Sequence, residues 1–199
     1  MRKHFDDQIA QLGEQMMAMG ALVENTIERA IRALQTDDMA EAAAIRDGDH
    51  VVDEKEREVE AMCIHMLLQQ QPVARDLRTI SAALKMITDM ERIGDQAEDI
   101  AEIIGFLNGH SGEECAFVGH MARAAISMVT GSVDAFVRQE VTLAHQVIAK
   151  DDVVDEDFRK VKATLIDWIA QRPDDGEYAL DLLMLSLIHI SEPTRPISI

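Results

Sequence analysis

Asp49-His50-Val51-Val52-Asp53-Glu54 and Asp151-Asp152-Val153-Val154-Asp155-Glu156 decide how this chain is read, because the second stretch restates the first 102 positions later. A repeat at that distance is too long for a solenoid unit and suits a duplicated small domain. The same offset sets Leu34 on Phe136, Ala42 on Ala144 and Ile45 on Val147, with no gap across two helices. One small fold is therefore expected twice.

Composition says which fold. Of 199 residues, 47% are hydrophobic but only 4% aromatic, and twelve Met against four Pro suit packed helices rather than sheets. The fold class is read as all-α, two tandem antiparallel three-helix bundles. The bounds are 1–110 for the first bundle and 111–184 for an incomplete second. With 19 Lys and Arg against 37 Asp and Glu, the formal charge is −18, a field that repels phosphodiester backbones and anionic lipid alike. Nucleic acid is excluded as a partner on that ground. Cys63 and Cys115 stand far apart without zinc or haem spacing and read as thiols of a reducing compartment. Met1-Arg2-Lys3-His4-Phe5 has no apolar signal core and no stretch approaches a membrane span, so the expected location is the cytoplasm.

Periodicity supplies the elements. Ile9, Leu12, Met16, Met19, Val23, Ile27, Ala30 and Leu34 recur at three- and four-residue steps and predict a first helix over about 5–34. After the Thr36-Asp37-Asp38 cap signal, Ile45, Val52, Val59 and Met66 fall seven apart on one second helix that runs to Gln69-Gln70-Gln71-Pro72. A third helix starts near Pro72, carries Leu77, Ile80, Leu84 and Ile87 on one stripe, and ends near Gly105 to Gly112. The pattern then restarts with Phe117, Met121, Met128, Val133 and Phe136, continues through Val141 to Trp168, and reopens after Asp174-Asp175-Gly176-Glu177 with Leu180, Leu183 and Met184. The tail 185–199, with Pro193 and Pro196, forbids a long helix. It resembles the translation of a sequencing-library adapter and is expected to be non-native.

Continued by the same rule, the stripe 77, 80, 84, 87 reaches Glu91, Gly94 or Asp95, Glu98 and Glu102, so acid replaces oil on the inner face. A helix sets i and i+4 side chains side by side. Glu91 with Asp95 can therefore share a cation, and Asp49 with Asp53 and Asp151 with Asp155 repeat the spacing. Clustered, partly buried carboxylates are relieved by protonation, by Arg or Lys pairing, or by a divalent cation, with Lys85 and Arg92 the nearest basic residues along the chain. An all-oxygen set suits Mg²⁺, Mn²⁺ or iron better than a structural Zn²⁺ site. Chance pairs on solvated helix faces are common in so acidic a chain, and the recurrence in register is what favours metal. Seven histidines show no HxxxH or HxH pairing, and no GxSxG, Walker or GxGxxG pattern occurs. No nucleophile stands beside a base. Nor is a dense Arg/Lys cluster or Gly-rich nest visible, which makes phosphate a poor direct ligand.

The run Gln71-Pro72-Val73-Ala74-Arg75-Asp76-Leu77-Arg78, followed by Asp89-Met90-Glu91-Arg92-Ile93-Gly94-Asp95 and Ile100-Ala101-Glu102, resembles the PhoU family of accessory regulators of phosphate-specific transport in bacteria. The resemblance implies paired three-helix bundles, homodimeric as a rule, whose E(D)xxxD motifs carry polynuclear iron or another divalent metal (Fe, Mn, Mg or Zn). It implies no catalysis. The expected role is negative regulation of the phosphate-starvation genes, by an adaptor between the ATPase subunit of the phosphate ABC transporter and a sensor histidine kinase. Contact with the membrane would come only through those partners. Mapped onto this chain, the metal residues are Asp49, Asp53, Glu91, Asp95, Asp151 and Asp155. The partner ExxxD of the second pair should lie a few residues beyond Met184, where this chain lacks it, so a loose second bundle is expected around Val154, Phe158, Leu165 and Trp168. Two other classes stay open from the residues: a metal-dependent carboxylate-bundle enzyme, such as a phosphohydrolase or ferroxidase, and a purely structural helical adaptor.

Overall fold

A computed structural model describes residues 2–48, 50–70, 72, 74–107 and 116–188. Helix α1 spans Arg2–Thr36, α2 Met39–Asp47, α3 His50–Gln70, α4 Ala74–Ile104, α5 Ala116–Arg138, α6 Val141–Gln171 and α7 Gly176–Ile188, with a 3₁₀ turn at Pro173–Asp175 before the last. No strand occurs among the described residues. The architecture is all-α: α1, α2 with α3, and α4 form one bundle, and α5, α6 and α7 the other.

The turn that ends the first helix of each bundle is built alike. Asp37 and Gln139 both take positive φ, 53° and 55°. In each case the next amide bonds back to the carbonyl five residues earlier, Asp38 to Ala33 and Glu140 to Ala135, both at 3.0 Å. This left-handed cap satisfies carbonyls that a helix end leaves without a partner. It also reverses the chain at the same place in both halves.

The seven-residue seam is buried throughout: Ile45, Val52, Val59 and Met66 in the first bundle, and Val147, Val154 and Val161 in the second. The helix that carries it differs from expectation in the first bundle. Where one helix is predicted, α2 stops at Gly48, whose N–H bonds to the Ile45 carbonyl at 3.1 Å, and α3 begins at His50. Glycine lowers the cost of leaving the helix there. In α6 the aligned position is Lys150, and the helix is continuous.

Two stripes also shift. On α4 the buried row is Ile80, Ala83, Ile87, Met90, Gly94, Ala97, Ala101 and Ile104, while Leu77 is exposed. Glu91 and Glu98 therefore flank the apolar face, half-buried, and Glu102 is exposed, rather than continuing that face as the stripe through Leu77 and Leu84 required. The cause is that α4 packs on α1, α2, α3 and α7 at once, so its apolar arc is wide and centred one position away. On α7 the buried residues are Ala179, Leu182, Leu185 and Ser186, with Leu180 and Met184 exposed. Leu185 to Ile188, assigned to the tail by the sequence reading, form its last turn; residues 189–199 lie outside the described residues.

The bundles meet through their first helices. Gly13 faces Val137, Gly20 faces Val133, and Gly119 faces Gln35 and Ile31, so α1 and α5 run antiparallel at close range. One hydrophobic cluster consequently extends from Phe5 to Leu185. In the second bundle Val154 and Leu165 are buried, whereas Phe158 and Trp168 are half-buried.

Candidate metal centre

The close approach of α3 and α4 begins with a missing side chain. A Cβ on Gly94 would lie 3.1 Å from Val52 Cγ1, tighter than side chains ordinarily pack. Gly94 sits between Glu91 and Asp95, and Val52 precedes Asp53. The contact therefore draws the carboxylates of two helices to one place: oxygens of Asp53, Glu91 and Asp95 all lie within 4.8 Å of one another. Asp53 and Glu91 are half-buried, and Asp95 is at the solvent edge of the group.

Three ionised carboxylates at that spacing repel each other, and partial burial weakens the screening. Arg57, one turn along α3, places Nη2 3.2 Å from Asp53 Oδ2. Its side chain is mostly exposed, so the pair offsets little of the repulsion. Arg57 was missed by reading along α4, although the i, i+4 spacing from Asp53 could have pointed to it. Lys85 instead pairs with buried Asp89, at 3.7 Å. The donor set is oxygen only, from a rigid helix pair, with separations that one or two hard cations can span. The residues fit Mg²⁺, Mn²⁺ or iron. Beside them a small cavity of about 20 Å³ lies at the α2–α3 break, with Gly48, Gly94 and Glu98 in its wall.

Asp49, paired with Asp53 in the sequence reading, lies outside the described residues. Asp151 and Asp155 stand one turn apart on α6, both half-buried. Burial, then the nearby charges of Asp155 and Asp152, hold the Asp151 carboxyl above the usual range. No third carboxylate joins them among the described residues. At the 102-residue offset, the positions that answer to Glu91 and Asp95 are Pro193 and Ile197.

Other reactive groups are quiet. The Cys63 thiol is buried, and burial with the charge of Glu60 pushes it up to about 11, which keeps it protonated and a poor nucleophile at neutral pH. Cys115 lies outside the described residues. None of the described helices is long and apolar enough to cross a membrane.

Comparison with known proteins agrees with the two-bundle fold. The PhoU domain model matches residues 16–104 and again 118–192. The phosphate-specific transport system accessory protein PhoU homologs of Clostridium acetobutylicum and Aquifex aeolicus are each 33% identical, over 85% and 88% of this chain and 78% and 80% of their own lengths. The crystal structure of PhoU from Pseudomonas aeruginosa superposes with a TM-score of 0.87 at 30% identity, covering 96% of this chain and 93% of the other. That of the phosphate transport system regulatory protein PhoU from Streptococcus pneumoniae, at 22% identity and a TM-score of 0.80, shares the fold. With the family model matched once in each bundle and a third of the residues shared with such relatives, the chain belongs to the PhoU family.

Proposed function

We propose that this chain is a non-catalytic regulator of phosphate uptake whose structural and signalling centre is a divalent metal at Asp53, Glu91 and Asp95. In this reading Asp49 completes the first site, and Asp151 with Asp155 supply part of a second. The metal would cross-link α3 to α4, neutralise the carboxylates and stiffen the first bundle. The carboxylate group on the α3–α4 seam is the observation that carries the proposal. Family membership supplies its context, since relatives are named as accessory proteins of phosphate-specific transport.

The adaptor part of the proposal places the chain, as a homodimer in the cytoplasm, between the ATPase subunit of a phosphate ABC transporter and a sensor histidine kinase, repressing phosphate-starvation genes when phosphate is plentiful. A formal charge of −18 favours basic docking faces on such partners and speeds encounter with them. Affinity capture from phosphate-replete and phosphate-starved cells tests it. Recovery of transporter and kinase, weakened in a Glu91→Gln/Asp95→Asn variant that keeps its helical spectrum, is the expected result. Capture of neither partner under either condition would sink the adaptor role, and undiminished capture by the variant would separate that role from the metal.

A further inference from the structure

Where α4 begins, α5 ends and α6 begins, the helices enclose a cavity of about 460 Å³, a size that suits a small ligand. One wall carries Arg75, Arg78 and Lys85, which share a face of α4. In a chain with 37 acidic residues and 19 basic ones, three cations around one concavity form a local reversal of sign. Their charges are only partly engaged. Arg75 donates to Gln139 Oε1, which steadies the guanidinium at the cavity. Lys85 Nζ stands 3.7 Å from Asp89 Oδ2, beyond a good hydrogen bond. Arg78 is in no ion pair among the described residues.

The opposite wall holds the start of α6. In the first bundle the matching helix start is capped, Asp38 Oδ1 accepting from the amides of Ala40 and Glu41 at 3.1 and 3.0 Å. At α6 the N-cap is Glu140, whose side chain makes no cap bond. The positive end of the helix dipole therefore adds to the three cations instead of being met by a side chain. Glu140 on the wall and Asp89 behind Lys85 are the opposing charges. Phe136 and Ala82 make part of the lining apolar.

We propose that this cavity binds a phosphate group, inorganic or carried on a small organic ester, through Arg75 and Arg78, one turn apart on α4. Lys85, about 15 Å further along the helix from Arg75, adds positive charge at the far end. Arginine forks match the oxygens of a tetrahedral anion in pairs, and lysine adds a point charge. The apolar wall gives an ester's organic portion a place to lie. The site is separate from the carboxylates of α3 and α4, and the proposal does not rest on the metal reading.

Calorimetric titration of the full chain, metal-stripped and at constant ionic strength, tests it with inorganic phosphate and with glycerol phosphate. Saturable binding is expected, weakened about tenfold or more by Arg78→Gln and by Arg75→Gln, as loss of a charge-assisted bond implies. Lys162→Gln, an exposed basic residue outside the cavity lining, should bind like the unaltered protein. Tighter binding of the ester would support use of the apolar wall, and equal binding would support recognition of the phosphate group alone. Absence of saturable binding by both probes overturns the proposal. So does binding untouched by the arginine variants, or weakened as much by Lys162→Gln as by them. Both arginines are exposed, so the variants should melt like the parent; should one of them unfold, the other provides the same reading.

Discussion

The two bundles share a backbone plan and differ in the chemistry hung on it. Their first corners coincide in dihedral angle, hydrogen bond and register. Yet the first bundle caps its next helix with Asp38, breaks it at Gly48, and brings three carboxylates together against α4. The second leaves that helix start without a side-chain cap, runs it unbroken through Lys150, and shows a two-carboxylate pair among the described residues. Backbone hydrogen bonds and a buried seam tolerate exchange of surface side chains, so duplicated geometry persists while sites diverge.

The largest effect that would sharpen this contrast is on metal. Mn²⁺ at a hundredfold over its dissociation constant should stabilise the chain by about 2.7 kcal/mol. The double change Glu91→Gln/Asp95→Asn should abolish that gain, and Asp151→Asn should preserve most of it. A calorimetric melt with and without metal reads both; equal losses would erase the distinction between the bundles.

Next come the glycines that let helices touch. A Cβ at Gly131 would stand 2.7 Å from Val147 Cγ2, against 3.1 Å for Gly94 and Val52. Overpacking of this kind costs about 1–3 kcal/mol, so Gly131→Ala should destabilise more than Gly94→Ala. Only Gly94→Ala should also weaken metal binding, because only that contact sets the spacing of candidate ligands. Denaturant melts with Mn²⁺ titration separate the two effects, and identical metal affinities would break the link drawn from Gly94 to the carboxylates.

Caps give a smaller contrast. Asp38→Ala should cost about 1 kcal/mol, whereas Glu140→Ala should cost little, since no side-chain bond is lost there. Chemical denaturation of each variant is sufficient to compare them.

The smallest effect is on pH. Burial first, then a neighbouring acid, raises the carboxyls of Asp99 in the first bundle and Asp181 in the second. A carboxyl raised on folding holds its proton more tightly in the native state. Its favourable contribution is complete below the unfolded value near 3.8 and is lost as pH climbs through the raised value. Asp99→Asn and Asp181→Asn should therefore each flatten the decline in stability that begins as pH rises above 3.8, seen as a smaller change in melting temperature on titrating upward from that pH. An unchanged slope would remove these groups from the account.

Much of the fold was legible because it rests on local rules. The repeat announced the duplication, and Ile45, Val52, Val59 and Met66 marked a seam that is buried as its spacing requires. The face of α4 was misplaced by about one position, since Leu77 and Leu84 look like core until the number of packed neighbours widens the apolar arc. Asp53, Glu91 and Asp95 could be singled out by their i, i+4 pairs, but their meeting across two helices depends on Gly94 against Val52, a contact between residues 42 positions apart. The cation-lined cavity was invisible in sequence: Arg75, Arg78 and Lys85 are scattered in a strongly acidic chain, and their concavity exists only because α5 and α6 turn beside them. Sequence by itself determined the helical class, most of the helices and the duplication, because these follow from periodicity, propensity and backbone conformation over a few residues, though not the break at Gly48 or the last turn of α7. Tertiary structure alone decided which charges share a space, because electrostatic neighbourhood depends on distance between helices, and that distance is set by packing of side chains far apart in the chain.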